Sequence, residues 1–444
     1  MNLKNVEQKF FSSFDGNFST SSNLLKPKKY KDIELISRTK DNFINLGSNL
    51  SYSPLGFYEK SISLDLEAFN RILNFDQKKK EITVEAGIKL AELLNFTLKY
   101  NLWIPQLPGY PFITLGGAVA TNAHGKSCGI DGTIRNSVKN ILIFHKKNGW
   151  LDLSREENRE VFDLTIGGLG LTGTIVSITL NLQDITNSSF TTIKNTVGSL
   201  RECIKIIKEK SAKKNSLVYS WNMATNISNL GKGIVFENVL NQNGVFDKIK
   251  IPEKKRKAYS KPFFSLWNRA SIALANKIFF KVHTLKKEKI NEKFLDVIFP
   301  FYGKESYFYF FGKHGFLESQ FLIPDNKIEE FINEFEYLFK KYLPGITLLS
   351  FKNMSGKQNY LWFEDNMICM TVDYINNKKN KLFMLEMDKL CVKHNILPSI
   401  IKDSRLDKQT FEKCYKNFNV FKEKIKKFDV NRFYKSETSE RLGL

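Results

Sequence analysis

Two apolar spacings alternate along the first part of the chain. The run Ile82-Thr83-Val84-Glu85-Ala86-Gly87 predicts a short strand that stops at a glycine. Leu90, Leu93, Leu94 and Leu98 then fall at helical spacing and predict a helix over 89–100. Residues 102–109 hold two prolines and read as a loop, and 114–124 are small and glycine-rich. The alternation of polar and apolar residues over 174–182 predicts a half-buried strand. From there to 396 the chain becomes rich in Phe, Tyr, Lys and Asn. It offers strand-like runs at 216–221, 316–323 and 367–374 and amphipathic helices over 326–342 and 381–394. This predicts a second domain built on an antiparallel sheet with helices. Residues 397–444, with a helical pattern over 411–428, are too few for a core of their own and must pack on what precedes them.

Composition narrows the class. The 444 residues are 42% hydrophobic and 26% charged, a globular balance that excludes a disordered chain, a collagen or a coiled-coil rod. The five cysteines are odd in number and form no CxxC pair, which fits a reducing compartment and argues against a disulfide framework. The five histidines lack local ligand spacing, so no metal is predicted. Residues 1–18 carry charges throughout and do not read as a signal peptide, and no apolar run is long enough to span a membrane.

The net charge of +22 draws anionic partners, although lysine is spread over nearly every segment and compositional bias accounts for most of the excess. One segment stands apart. Residues 251–290 hold eleven basic side chains and two acids, interleaved with Phe263, Phe264, Leu266, Trp267, Ile278, Phe279 and Phe280. This suits an anionic membrane surface as well as it suits a basic loop followed by a core helix. No nucleic-acid motif accompanies it, so no nucleic acid is expected as a partner.

The sequence Gly168-Leu-Gly-Leu-Thr-Gly173 fits GxGxxG, but it enters a predicted strand where a dinucleotide fingerprint would open a helix. A stronger signal is an ordered set of glycine-rich pieces at 45–54, 107–126, 129–133 and 166–176. Bare backbone N–H groups and small side chains in that order can line a groove for a diphosphate and a flat ring.

This set resembles the flavin-binding domain of the vanillyl-alcohol-oxidase / p-cresol-methylhydroxylase (PCMH) superfamily of FAD oxidoreductases. Within it the chain looks most like the branch acting on polyprenyl-phosphate-linked pentoses, with aldonolactone and alditol oxidases as relatives. The likeness is densest at 107–182 and continues at 401–411 and 428–433, with shorter matches at 219–221, 320–324, 351–352 and 371–374. It implies an α+β, two-domain PCMH-type FAD-binding fold with an antiparallel-sheet cap (substrate) domain. Residues 1–185 would bind FAD, 186–396 would form the cap, and 397–444 would return to the FAD-binding domain.

By position, the resemblance assigns Gly47, Ser48, Asn49, Leu50, Ser51 and Tyr52 to the cofactor, with Gly116, Gly117, Ala118, Thr121, Asn122, Ala123 and Gly125. Gly132, Thr133, Gly173, Ile175 and Val176 would complete the groove. Relatives that attach FAD covalently carry a histidine where this chain has Leu50, so the implied FAD is non-covalent. Lys402 and His124 match the catalytic positions, and Tyr52, Lys126, Trp221, Gln320, Lys352 and Asp373 match the substrate pocket. The implied chemistry is oxidation of a sugar hydroxyl to a ketone, with hydride passing to flavin N5 and the proton to a base.

Four pocket positions depart from the pattern: Thr371 for cysteine, Cys369 for asparagine, Glu318 for glutamine and Ser399 for tyrosine. A changed sugar pocket is expected. The implied partners are a polyprenyl-phosphate or other small sugar, a short-chain reductase that completes an epimerisation, and an anionic membrane at the cytoplasmic inner face. A soluble aldonolactone or alditol oxidase and a degenerate flavin-fold binding module are the alternatives.

Overall fold

A computed structural model describes residues 6–213, 216–241, 249–252, 261–285 and 288–444. The basic residues 254–257 and Lys286 and Lys287 of the interleaved segment lie outside the described residues.

The N-terminal part is built on two sheets. One orders its strands Glu7–Ser12, Ser19–Leu25, Ile62–Asp65 and Phe43–Leu46, and its last three strands run parallel. The loop 47–61 that crosses between two of these strands carries the first glycine-rich piece. The other sheet is antiparallel, in the order Ile72–Asp76, Glu81–Glu85, Thr174–Asn181, Val138–His145 and Gly149–Ser154. The predicted strands at 82–87 and 174–182 therefore form and pair with each other. The predicted helix at 89–100 is Leu90–Thr97, continued by one 3-10 turn to Tyr100, and it buries Leu90, Leu93 and Leu94.

The glycine-rich run holds a helix that its composition conceals, Leu115–Ala120. Two glycines in six residues disfavour helix intrinsically. Thr114 compensates as N-cap, its hydroxyl accepting from the Gly117 N–H. The glycines are needed for contact. A Cβ on Gly116 would stand 2.8 Å from the Ala86 Cβ, and one on Gly47 would stand 2.2 Å from Thr114 Oγ1. Helix, strand and first loop thus touch through bare backbone.

The second part is one eight-stranded sheet, ordered Lys289–Lys293, Ser189–Val197, Gly233–Leu240, Ser216–Asn222, Ile346–Met354, Met367–Ile375, Phe316–Ile323 and Leu397–Pro398. Its two faces divide by the two-residue period of a strand. Leu317, Phe321, Leu349, Phe351, Val372 and Tyr374 pack under the helices Leu200–Ser211, Ile328–Tyr342 and Lys378–His394. The alternating residues Trp221, Glu318, Gln320, Lys352, Thr371 and Asp373 face a cavity shared with the N-terminal part.

The C-terminal segment straddles both parts. Its predicted single helix is broken at 415–417 into Lys408–Cys414 and Phe418–Phe428. Leu406, Phe411, Tyr415, Phe421 and Ile425 join the core beneath the eight-stranded sheet, whereas Tyr434 bridges to Phe43 in the first sheet. The helix Arg269–Leu285 turns Ala275, Asn276, Phe279 and His283 to the cavity and leaves Leu274, Ile278, Val282 and Leu285 exposed. Among the described residues no helix is long and apolar enough to cross a membrane.

Candidate active site

The cavity between the two parts has a volume of about 2040 Å³. Ligand pockets for one drug-sized molecule run to roughly 1,000 Å³, so a dinucleotide and a substrate fit together. Of the predicted positions, all of Gly47, Ser48, Asn49, Leu50, Ser51 and Tyr52 line it, as do Gly116, Gly117, Thr121, Asn122, Ala123, His124, Gly125, Lys126 and Ile175. From the eight-stranded sheet come Trp221, Gln320, Lys352 and Asp373, and from the C-terminal segment Lys402.

Five predicted cofactor positions do not line the cavity. Ala118 and Val176 point into the packed cores behind it. Gly173, at φ +131°, lies against the Phe144 carbonyl, where an added Cβ would come within 2.8 Å. Gly132 turns the chain in the left-handed region at φ +69°, delivering Thr133, whose hydroxyl donates to Glu364 Oε2 at 2.6 Å. These residues shape the site from behind.

The lining suits FAD. The backbone N–H groups of Gly47, Asn49, Leu50 and Ser51 meet no acceptor among the described residues. Asn45 Oδ1 and Asn122 Oδ1 are buried without a hydrogen-bond partner there, and both side chains border the cavity. Unused donors beside unused acceptors call for a ligand carrying both, as a diphosphate and an isoalloxazine edge do. Leu50 has no atom able to bond covalently to it.

The polar end of the cavity is strongly cationic. Lys402 Nζ sits 3.6 Å above the Tyr52 ring and 3.2 Å from Glu318 Oε1. Lys126 Nζ lies 3.7 Å over the Tyr219 ring, and burial, reinforced by Lys352, pushes it down to about 7. Lys352 Nζ donates to the Gly125 carbonyl at 3.3 Å. His124 is stacked near Phe363, at 5.8 Å between centroids. Burial, then Lys352, Lys402 and Lys126, hold its imidazole well below the usual range, so it is neutral. Burial and the Glu318 charge hold the Asp373 carboxyl well above its ordinary range.

Three participants escaped the sequence reading. Glu318 was visible only as a departure from a pattern, not as the ion partner of Lys402. Tyr307 donates to Asp373 Oδ2 at 2.8 Å from a short helix, Ser306–Tyr309, with no sequence signature. Glu364 holds the cofactor loop by accepting from Asn122 Nδ2 at 3.1 Å and from Thr133. A lone buried carboxylate so far along the chain gave no local cue.

Residues 30–153 match the family model described as FAD binding domain. The chain is 25% identical over 405 residues to decaprenylphosphoryl-beta-D-ribose oxidase of Mycolicibacterium smegmatis, covering 86% of this chain and 85% of that one. It is 28% identical over 162 residues to the mitochondrial L-galactono-1,4-lactone dehydrogenase of Arabidopsis thaliana, covering 36% of this chain and 26% of the relative. L-gulonolactone oxidase of Bos taurus is 32% identical over 143 residues, covering 31% and 32%.

Proposed function

We propose that the chain, an FAD-dependent oxidoreductase acting on CH–OH groups, oxidises a ring hydroxyl of a polyprenyl-phosphate-linked pentose to a ketone. The observation that carries this reading is the pairing of two chemistries in one cavity. Lys126 and Lys352 have no carboxylate partner among the described residues and can hold a phosphate, while Gln320 Oε1 is buried, unpartnered and free to hold a sugar hydroxyl. The likeness to an oxidase of a prenyl-phosphate sugar supports it over most of both chains.

FAD, when bound, takes up the hydrogen and electron pair that leave the carbinol carbon. The chain's residues do the rest. The loop 47–52 and residues 116–125 hold and orient the cofactor. Lys402, beside Glu318 and the Tyr52 face, supplies positive charge where negative charge develops. Neutral His124 offers a hydrogen-bonding nitrogen without adding another cation. Trp221, Phe279, Phe363 and Tyr307 wall the cavity with aromatic surface and exclude water.

The keto sugar would then pass to a short-chain reductase, completing an epimerisation. The exposed Phe263 and Phe264, which precede the helix, and Leu274 and Ile278 on its outer side would place the mouth of the site against an anionic membrane at the inner face, where a lipid-linked sugar resides. A second reading, a free aldonolactone or alditol as substrate, is favoured by Glu318, an extra hydroxyl acceptor on the wall, and by the lactone-oxidising relatives.

Anaerobic mixing with candidate sugars, followed by flavin absorbance, tests the proposal. Bleaching by a prenyl-phosphate pentose and not by lactones or alditols is expected. Bleaching by free lactones or alditols alone would replace it with the second reading, and a protein that cannot be reconstituted with FAD would leave a binding module.

A further inference from the structure

Glu318 and Asp373 stand directly opposite each other on the antiparallel strands Phe316–Ile323 and Met367–Ile375. Opposed residues of such a pair share one face, with Cβ atoms about 5 Å apart. Here that face is the cavity wall. The side chains are nearly inaccessible, at 4% and 1% exposure. Two ionised carboxylates do not persist side by side in such a place.

The surroundings decide where the single negative charge rests. Lys402 Nζ lies 3.2 Å from Glu318 Oε1, and the Tyr52 hydroxyl is also bonded to Glu318. Tyr307 donates to Asp373 Oδ2. Burial first, and the Glu318 charge second, hold the Asp373 carboxyl well above its ordinary range. Asp373, Glu318 and Lys402 therefore stand in sequence, the carboxyl pair at one end and the ammonium-bearing side chain at the other. The titratable groups facing it are Tyr307 from its helix, Tyr52 from the cofactor loop and Lys402 from the C-terminal segment. Two residues along the same strand, Gln320 is 6% exposed, and its Oε1 lines the cavity without a partner among the described residues. A hydroxyl-bearing ligand held there lies beside the pair.

We propose that Glu318 and Asp373 work as one carboxyl pair holding a single proton, and that Glu318 accepts the proton of the hydroxyl being oxidised. The inference rests on the alcohol-oxidase reading above. In the step, the substrate O–H bond breaks and its proton joins Glu318. The carbonyl bond forms as the C–H bond breaks, its hydrogen and electron pair going to FAD, the oxidant. The pair passes from one proton and one negative charge to two protons and none. Lys402 is then left without its counter-charge at the moment negative charge leaves the substrate, which is when a free cation is most useful.

The other bases are less suited. Protonating His124 would add a cation beside Lys352, Lys402 and Lys126. Lys402 is already paired with Glu318. Lys126 lies over Tyr219, on a different strand.

The test uses the FAD-loaded protein and two readouts. Infrared spectra at neutral pH, without substrate, are expected to show a buried protonated carboxyl that Asp373→Asn removes. In anaerobic mixing with a sugar that bleaches the wild type, Glu318→Gln is expected to slow reduction about 100-fold or more. It should also abolish the loss of rate on acidification, which reflects the pair filling its second proton site beforehand. Glu318→Asp should restore part of the rate if the variants retain FAD. A Gln variant with the wild-type rate and pH profile would overturn the proposal. So would an acid limb that persists in Glu318→Gln and disappears in Lys126→Met. If no sugar alcohol bleaches even the wild type, the alcohol-oxidase reading fails on its own, and the infrared band still sustains or removes the shared proton.

Discussion

Glu364 Oε1 and Arg135 Nη2 meet at 2.9 Å, and through them the connection between the strands Ile346–Met354 and Met367–Ile375 grips the cofactor loop. The same carboxylate accepts from Asn122 and Thr133, and the guanidinium lies 4.4 Å over the Trp362 ring. Removing the buried Glu364 leaves the half-buried Arg135, Asn122 and Thr133 without their acceptor. Glu364→Ala is expected to cost about 3 kcal/mol of stability and to weaken FAD retention, because Asn122 loses its anchor. Thermal unfolding and flavin loss on ultrafiltration measure both. An Ala variant that melts with the wild type and keeps its colour would refute the brace.

Lys126 gives the site a pH dependence. Burial holds its pKa at about 7, so its charge is present below that pH and lost above it. The unfolded chain keeps this proton up to the ordinary lysine range, so between the two values the unfolded state binds more protons and stability rises with pH. Binding moves the opposite way. A sugar phosphate should bind roughly tenfold more tightly below neutrality than above it, the worth of one charged hydrogen bond, and Lys126→Met should flatten the curve. Calorimetric titration on both sides of neutrality checks this, and equal affinities would exclude Lys126 from the anion site.

Leu50 lies in the cavity wall where covalent relatives place a histidine. Acid precipitation of the yellow protein should therefore leave all of the flavin in the supernatant. Colour retained in the washed pellet would contradict non-covalent binding.

Phe263 and Phe264 are 72% and 64% exposed, with Lys313 Nζ 5.6 Å from the Phe263 ring and Lys277 and Lys281 on the adjoining helix. Aromatic side chains beside lysines favour anionic lipid. Co-sedimentation with anionic vesicles is expected to weaken with salt and to be lost in a Phe263→Ser, Phe264→Ser double variant that still binds FAD. Sedimentation unaffected by that variant would exclude this face.

What the sequence disclosed followed from the range of the interactions involved. The strand at 316–323 was legible to the residue because its alternate side chains serve two different layers. The helix Leu115–Ala120 was hidden because what holds it is a cap and a close approach to Ala86, and glycine composition argues the other way. The lining residues of 47–52 and 116–126 could be named because they belong to local glycine-rich pieces, whereas Trp221, Gln320, Lys352, Asp373 and Lys402 could be named only through short stretches of family resemblance. The Lys402–Glu318 and Arg135–Glu364 pairs could not, because their partners are brought together only by strand register and by the return of the C-terminal segment.

The loop that carries Tyr52 is fastened to the segment that carries Lys402: the Ser53 N–H donates to the Ile401 carbonyl, and the Ser53 hydroxyl to that of Ile400, 347 positions further on. During synthesis the first wall of the pocket leaves the ribosome long before its counterpart exists. Cofactor capture is consequently a closing event of biogenesis, and a nascent chain halted before this clasp would hold flavin loosely however well its early sheets had formed.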